Sequence, residues 1–139
     1  MLDLIIKNGQ CYIDNDLKDV DIGIQSGKIV KIGNLAEESK QSVDAKGLTV
    51  LPGCIDTQTH FREPGSTDTE DLGSGSRAAI VGGITSVFEM PNTNPATTNR
   101  AEFNRKIHLA KNRMYCNHAF YFGATPDNQS ELANLKNLD

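Results

Sequence analysis

The chain has 139 residues, of which 37% are hydrophobic and 23% charged, and its formal net charge is -4. This composition is typical of a globular protein of about one average domain. The weakly acidic balance excludes an electrostatic footprint for nucleic acid or a membrane surface. No apolar run approaches the roughly 20 residues of a membrane span. Three widely spaced cysteines without a CxxC pair predict neither a disulfide framework nor a zinc cluster, and we expect a cytoplasmic protein.

The first fifty residues consist of short β-type runs separated by turn residues. The runs are LDLIIKNG, VDIGIQ, KIVKIG and KGLTVLPG. Asn8-Gly9 and Ser26-Gly27 are dipeptides that tolerate the positive φ of a tight turn. The pattern therefore predicts a small antiparallel β module over residues 1–53, with one polar face and one face that packs against another element.

From residue 54 onward, strand-like and helix-like patterns alternate. The strand-like runs are CIDTQTH, ITSVFEM and CNHAFYFGA, and the helix-like runs are TEDLGSGSRAAIVGG, RAEFNRKIHLAKNRM and NQSELANLKNL. Gly82-Gly83 is a stop signal for the first helix, and Asn99 with Glu102 resembles a capping box at the start of the second. Regular alternation of this kind indicates βα units that form a parallel sheet.

The alternation is too short for a complete α/β domain of a common type. A (β/α)8 barrel takes about 250 residues, whereas residues 54–139 contain about three βα units. We therefore expect an α/β fold in which these residues are the first part of a TIM barrel that continues in a longer protein. A doubly wound three-layer domain is the weaker alternative.

The stretch IDTQTHFREPG, residues 55–65, carries most of the candidate chemistry. Side chains alternate between the two faces of a strand, so Asp56, Gln58, His60 and Arg62 are predicted to share one face. A face that carries a carboxylate, an imidazole and a guanidinium is not an ordinary core face. The stretch is therefore a candidate site, although Asp56 could equally be tied to local backbone donors.

The segments LPGCIDTQTHFREPG and EDLGSGSRAAIVGGITSVFEMPNTNPATT resemble the N-terminal third of the dihydroorotases, within the cyclic amidohydrolase superfamily. Allantoinases and dihydropyrimidinases share the glycine pair and the histidine strand, but FREPG together with MPNTNP favours the dihydroorotase branch. The resemblance implies a distorted TIM barrel with a small β-sandwich built from both chain ends. It also implies a hydrolase that interconverts N-carbamoyl-aspartate and dihydroorotate in pyrimidine biosynthesis.

The resemblance implies roles for four residues. The family places two histidines at the positions of Gln58 and His60 to bind Zn²⁺, so His60 is the expected metal ligand and Gln58 a doubtful one. A neutral amide is a poorer zinc ligand than imidazole. His60, Arg62 and Asn92 match positions that bind the substrate carboxylate, which suits the two-pronged geometry of a guanidinium. The alternatives are that Asn92 is only a turn residue and that Arg62 forms a surface ion pair with one of the nearby glutamates, Glu63 or Glu70.

No catalytic residue is expected within this chain. In the family, the catalytic aspartate and the other metal ligands come from later strands, so the 139-residue chain alone is expected to be inactive. The sequence is also compatible with two other hypotheses about function. Gln58 is compatible with a non-catalytic homologue that acts as a structural partner of aspartate transcarbamoylase, and the shared motifs are compatible with an allantoinase or hydantoinase. The family also favours a homodimer.

Overall fold

The chain forms two units, Met1–Pro52 and Gly53–Asp139, in the computed structural model. The structure describes residues 1–135. None of the helices among these residues is long and apolar enough to cross a membrane. The cysteines, Cys11, Cys54 and Cys116, are all free thiols.

The first unit contains seven strands in two sheets. The strands are β1 Leu2–Lys7, β2 Gln10–Ile13, β3 Asp16–Asp19, β4 Asp21–Gln25, β5 Lys28–Gly33, β6 Ser39–Asp44 and β7 Thr49–Val50. The sheet orders are β5-β4-β1-β6 and β3-β2-β7. The predicted antiparallel pairing is correct for β1–β4, β4–β5 and β2–β3. It is wrong for β1–β6 and β2–β7, which are parallel. The connections that lead to β6 and β7 bring the chain back so that each strand runs in the same direction as its partner.

The turns of this unit follow the sequence signals. Asn8 and Ser26 adopt positive φ angles of 63° and 51°, and Gly27 follows at 71°. Asn8 is held in its turn because its backbone N–H donates to Asp21 and its side-chain amide donates to Asp44. The predicted tight turns at both positions are therefore confirmed.

The second unit contains three parallel strands that alternate with helices. The elements are β8 Cys54–Thr59, α1 Leu72–Val81, β9 Ile84–Glu89, α2 Arg100–Ala110, β10 Asn117–Phe120 and α3 Gln129–Ala133. β9 pairs with β8 on one side and with β10 on the other, so the strands lie side by side in chain order. The predicted alternation is present; of the helix predicted over residues 128–138, residues 136–138 lie outside the described part.

Capping residues set the ends of the two longer helices. The Asp71 side chain accepts a hydrogen bond from the backbone N–H of Ser74, and the Ser74 hydroxyl accepts one from the backbone N–H of Asp71. These two bonds form a capping box at the start of α1. Gly82 caps the end of α1, and Gly83 has a φ of 84°. The side chain of Asn99 caps α2 by accepting from the Glu102 N–H at 2.9 Å, which is one of the two bonds of the predicted capping box.

The core of the second unit lies between the sheet and the helices. Its buried members are Phe61, Leu72, Val87, Ala110 and Cys116. Phe103, Ile107 and Ala110 recur at helical spacing in the sequence, which predicts an apolar stripe on α2. Ile107 does not fit this prediction, since it is 47% exposed, whereas Lys106, one position earlier, is fully buried. Because residues three and four apart share a helix face, Lys106 lies on the same face as Ala110 and faces the sheet.

Candidate functional site

The candidate site lies at the carboxyl ends of β8 and β9. His60 follows β8 directly, and Asn92 lies three residues beyond the end of β9. Nδ1 of His60 donates to Oδ1 of Asn92 at 2.9 Å. An amide oxygen can only accept a hydrogen bond, so this contact places a proton on Nδ1, and in the neutral ring Nε2 then carries the lone pair. The structure therefore brings two of the predicted site residues together.

Arg62 lies on the loop after β8 with an exposed side chain. Within the described residues its guanidinium forms no ion pair, because Glu63 is engaged by Arg113. The alternative of a surface ion pair with a neighbouring glutamate is therefore not realised. No hydrogen bond joins Arg62 to Asn92 within residues 1–135, but the Arg62 charge lies close enough to lower the pKa of Glu89 against the larger effect of burial.

Gln58 and Asp56 occupy less specialised positions. Oδ1 of Asp56 accepts from the backbone N–H of Gln58 at 2.9 Å, which is the local backbone interaction expected as the alternative for this carboxylate. The Gln58 side chain is exposed and makes no hydrogen bond to the residues that the structure describes. Within residues 1–135, no hydrogen bond joins Gln58 to His60.

The described residues do not complete a metal site. Over residues 1–135 there is no group of three or more His, Cys, Asp or Glu side chains that could hold a metal ion. A catalytic zinc needs three protein ligands, and this edge offers one imidazole and one exposed amide. Zinc chemistry therefore does not follow from these residues alone.

The loops at this edge are joined to one another by backbone hydrogen bonds. The N–H of Asn94 donates to the carbonyl of Pro64 at 3.0 Å, which connects the loop after β9 to the loop after β8. The N–H of Gly123, beyond β10, donates to the carbonyl of Thr97 at 2.8 Å. Asn128 adds a side-chain bond to the carbonyl of Thr98 at 2.7 Å. The loops that contain FREPG and MPNTNP are thus neighbours, and hydrogen bonds connect the loop after β9 both to the loop after β8 and to the segment beyond β10.

An ion pair supports the loop that carries Arg62. Arg113 donates two hydrogen bonds to the carboxylate of Glu63, at 2.7 and 2.9 Å. The same carboxylate accepts the N–H of Leu72 at the start of α1, at 3.0 Å. Burial would raise the pKa of Glu63, but the bonds from Arg113 and Leu72 outweigh it and the pKa lies below its usual value. Sequence reasoning missed this pair, whose members are 50 positions apart.

A second ion pair lies beneath the loop that carries Asn92. Nζ of Lys106, on α2, donates to Oε2 of Glu89, the last residue of β9, and both side chains are fully buried. Burial raises the pKa of Glu89 to about 7, against the opposing effect of the Lys106 charge, and it lowers the pKa of Lys106. The sequence contains a signal for this pair. Glu89 is an acid within an apolar strand and Lys106 is a base on the apolar face of a helix, so both charges occupy positions that are expected to be buried.

His118 does not belong to this edge. Its ring lies 5.5 Å from that of Phe120 on β10, and Nδ1 lies 3.3 Å from the Cys116 carbonyl. Phe120 in turn lies beneath the ammonium of Lys106, on the helix side of the sheet. Because residues two apart in a strand share a face, His118 points toward the side on which α2 packs.

A comparison with protein families identifies the class. Residues 49–136 match the model described as the amidohydrolase family. The match includes the three strands of the parallel sheet and the loops that follow them. The chain belongs to the amidohydrolase family.

Individual relatives agree with this assignment. The chain is 43% identical over 134 residues to an allantoinase from Salmonella choleraesuis (strain SC-B67), covering 96% of this chain and 30% of that relative. It is similar to the solved structure of an L-hydantoinase (dihydropyrimidinase) from Arthrobacter aurescens, with a TM-score of 0.90, 30% identity, and coverage of 99% and 31%. A dihydropyrimidinase from Brevibacillus agri NCHU1002 has a TM-score of 0.79 and 28% identity, covering 99% and 31%. The chain thus spans less than a third of the length of these relatives.

Proposed function

We propose that this chain is the N-terminal part of a cyclic amide hydrolase of the dihydroorotase type, which interconverts N-carbamoyl-aspartate and dihydroorotate. The observation that carries the proposal is the hydrogen-bonded pair His60–Asn92 beside an exposed Arg62, which forms no ion pair within residues 1–135. In the longer protein, the three βα units would begin a TIM barrel and the N-terminal strands would contribute to a β-sandwich. The remaining zinc ligands and the catalytic aspartate would come from residues outside this chain.

The charges at the edge support a substrate that carries a carboxylate. Two acids of the strand and loop at this edge are already engaged, since Glu63 pairs with Arg113 and Glu89 with Lys106. Asn92 directs its amide oxygen to His60, which leaves its amide N–H groups available as donors. A guanidinium and an amide donor together match an incoming carboxylate, because charge-assisted hydrogen bonds are the strongest that a side chain can offer.

Allantoinase or hydantoinase activity is the second candidate. The observation in its favour is the 43% identity to an allantoinase and the TM-score of 0.90 to an L-hydantoinase. Allantoin and hydantoin are cyclic amides whose rings lack the carboxylate of dihydroorotate. The role of Arg62 therefore separates the two candidates.

The test uses the longer protein that contains this chain, assayed with dihydroorotate, allantoin and hydantoin. For the dihydroorotase type, Arg62→Ala should lower kcat/KM for dihydroorotate about 10- to 100-fold, since a hydrogen bond to a charged group is worth about 1.5–3 kcal/mol. Arg77→Ala, an exposed arginine on α1, is the matched control and should leave kcat/KM unchanged. Turnover of allantoin or hydantoin that is insensitive to Arg62→Ala, without dihydroorotate activity, would favour the second candidate.

A non-catalytic role is motivated by Gln58. A neutral amide at a position where the family has an imidazole weakens metal binding, and a metal-free homologue could serve as a homodimeric structural partner of aspartate transcarbamoylase. Metal analysis of the longer protein separates this role from catalysis. Stoichiometric zinc with turnover contradicts the structural role, whereas a metal-free, inactive protein that co-purifies with aspartate transcarbamoylase supports it.

A further inference from the structure

Lys106 contacts two consecutive residues at the end of β9. Its ammonium donates to the carboxylate of Glu89 and, at 3.1 Å, to the backbone carbonyl of Met90. It also lies 5.6 Å from the centre of the Phe120 ring. The Lys106 side chain has no exposed surface, so its ammonium donates within the protein, at the point where β9 ends and the following loop begins.

The peptide groups of Met90 are held from both directions. While Lys106 binds its carbonyl, its N–H donates to the carbonyl of Thr59 at 2.9 Å. Thr59 directly precedes His60, and Asn92 is two residues beyond Met90. The two strand ends that present the His60–Asn92 pair are therefore fastened to each other at Met90, and Lys106 fastens Met90 to α2.

Stability alone does not explain why charged residues occupy these positions. Each buried charge carries a desolvation penalty of several kcal/mol, and replacing such a pair by apolar side chains of similar volume is often neutral or stabilising. Glu89 Oε1 is buried and has no hydrogen-bond partner among residues 1–135, so the pair is not fully satisfied there. The bond to the Met90 carbonyl, by contrast, is one that no apolar side chain could make.

We propose that Lys106 is a positioning residue, which holds the Met90 carbonyl so that Asn92 meets His60 in the geometry required for binding and catalysis. It acts through the chain segment from Glu89 to Asn92 and touches neither substrate nor metal. This inference deepens the proposed function by adding a residue from α2 to the support of the site. It rests on the proposed function only for the activity measurement below.

The first readout is the ¹⁵N resonance of the His60 ring in the longer protein, assigned by its loss in His60→Gln. Asn92→Ala provides the reference signal for a ring that has lost its partner. Lys106→Met removes the ammonium while keeping an unbranched side chain, and it should move the His60 signal toward that reference. Arg105→Met removes an exposed positive charge from the same helix and should leave the signal at its wild-type position.

Two further variants separate positioning from folding. Glu89→Leu/Lys106→Met removes both buried charges, so it should fold even if Lys106→Met does not, yet it still lacks the bond to Met90. Its His60 signal should move as in Asn92→Ala. Glu89→Gln retains Lys106 and its bond to the Met90 carbonyl, so its signal should stay at the wild-type position. A folded double variant with a wild-type signal, or Glu89→Gln with the Asn92→Ala signal, would overturn the proposal.

The activity measurement is interpreted separately from the resonance. With any cyclic amide that the longer protein turns over, the double variant should lower kcat/KM up to about 100-fold, as misplacement of a binding group by about 1 Å does. Glu89→Gln should stay close to wild type. A wild-type protein without turnover refutes the proposed function and leaves the resonance test intact, whereas a double variant with wild-type kcat/KM contradicts the positioning role.

Discussion

Two ion pairs support the same edge of the sheet in different ways. Glu63–Arg113 holds the loop after β8, and Arg113 is 39% exposed. Glu89–Lys106 holds the beginning of the loop after β9, and both side chains are fully buried. Lys106 joins a site loop to α2 and Arg113 joins one to the turn after α2, but only the Lys106 pair is out of contact with water. Burial, more than the type of charge, therefore decides what each pair contributes.

The difference extends to hydrogen bonding and to the pKa values. Both oxygens of Glu63 have partners, and the pKa of this residue is lowered. One oxygen of Glu89 has no partner in the part of the chain that the structure describes, and burial raises the pKa of Glu89 to about 7. The first pair should therefore stabilise the fold at neutral pH. The second should contribute little net stability, although removing one of its members alone leaves the other charge buried without compensation.

The largest expected effect is that of Lys106→Met. Breaking a buried pair costs about 3–5 kcal/mol, because the remaining charge loses its compensation. The pKa of Glu89, already about 7 in the folded chain and near 4.5 when unfolded, should rise further without the cation. A carboxyl group whose pKa is raised in the folded state contributes stability at low pH, and this contribution is lost as pH rises. The destabilisation caused by Lys106→Met should therefore be larger at pH 8 than at pH 5.

Urea unfolding of the wild type and of Lys106→Met at both pH values measures this effect. Arg105→Met is the control and should change the free energy of unfolding by less than about 0.5 kcal/mol, since its ion pair with Glu102 is exposed. An equal loss at pH 8 and pH 5 would contradict a buried, titrating Glu89.

The double variant Glu89→Leu/Lys106→Met should recover most of the stability that Lys106→Met loses. Without either charge there is no desolvation penalty, and apolar replacements for buried pairs range from neutral to about 1–4 kcal/mol more stable. The measurement is the same urea titration, interpreted as a double-mutant cycle. If the double variant is as unstable as Lys106→Met, the pair itself stabilises the fold, and the contrast with Glu63–Arg113 fails.

Arg113→Met should cost about 1–2 kcal/mol at pH 7, because it removes charge-assisted bonds that are partly screened by solvent. The pKa of Glu63 is lowered from 4.5, so its contribution is present above that value and is lost as pH falls through the folded pKa. Wild type and variant should therefore converge in acid denaturation below about pH 4. Divergence at low pH would contradict this assignment, and Arg77→Met serves as the control.

Arg62→Ala should have the smallest effect on stability, within about 0.5 kcal/mol, because an exposed side chain without an ion pair contributes little to folding. Thermal unfolding of the variant beside Arg113→Met provides the comparison between a free and a paired arginine. A loss as large as that of Arg113→Met would mean that Arg62 has a structural role rather than one in binding.

Local signals in the sequence predicted the elements well. The capping role of Asn99, the positive φ at Asn8 and the glycine stop after α1 each depend on neighbours only a few residues away. The family resemblance added the loops that bring His60 and Asn92 together. Such features can be predicted because their energies arise within a few residues of chain.

The remaining features depend on contacts that are distant in sequence. The parallel return of β6 beside β1 is set by tertiary pairing, which no local pattern specifies. From the sequence alone, Arg113 is an ordinary residue near the end of a helix, and only the fold places it beside Glu63. Lys106 interrupts the apolar stripe of α2, and only its partner on β9 explains why a charge is tolerated there.

Gly75 of α1 packs directly against the ring of Phe61, the residue between His60 and Arg62. A Cβ atom at position 75 would lie 2.5 Å from Phe61 Cδ1, which is closer than real contacts allow. The two positions therefore share one fixed volume, and a larger residue at 75 requires a smaller one at 61. Across related sequences these positions should covary, and directed evolution that changes one of them should select compensating changes at the other before it can alter the loop that carries Arg62.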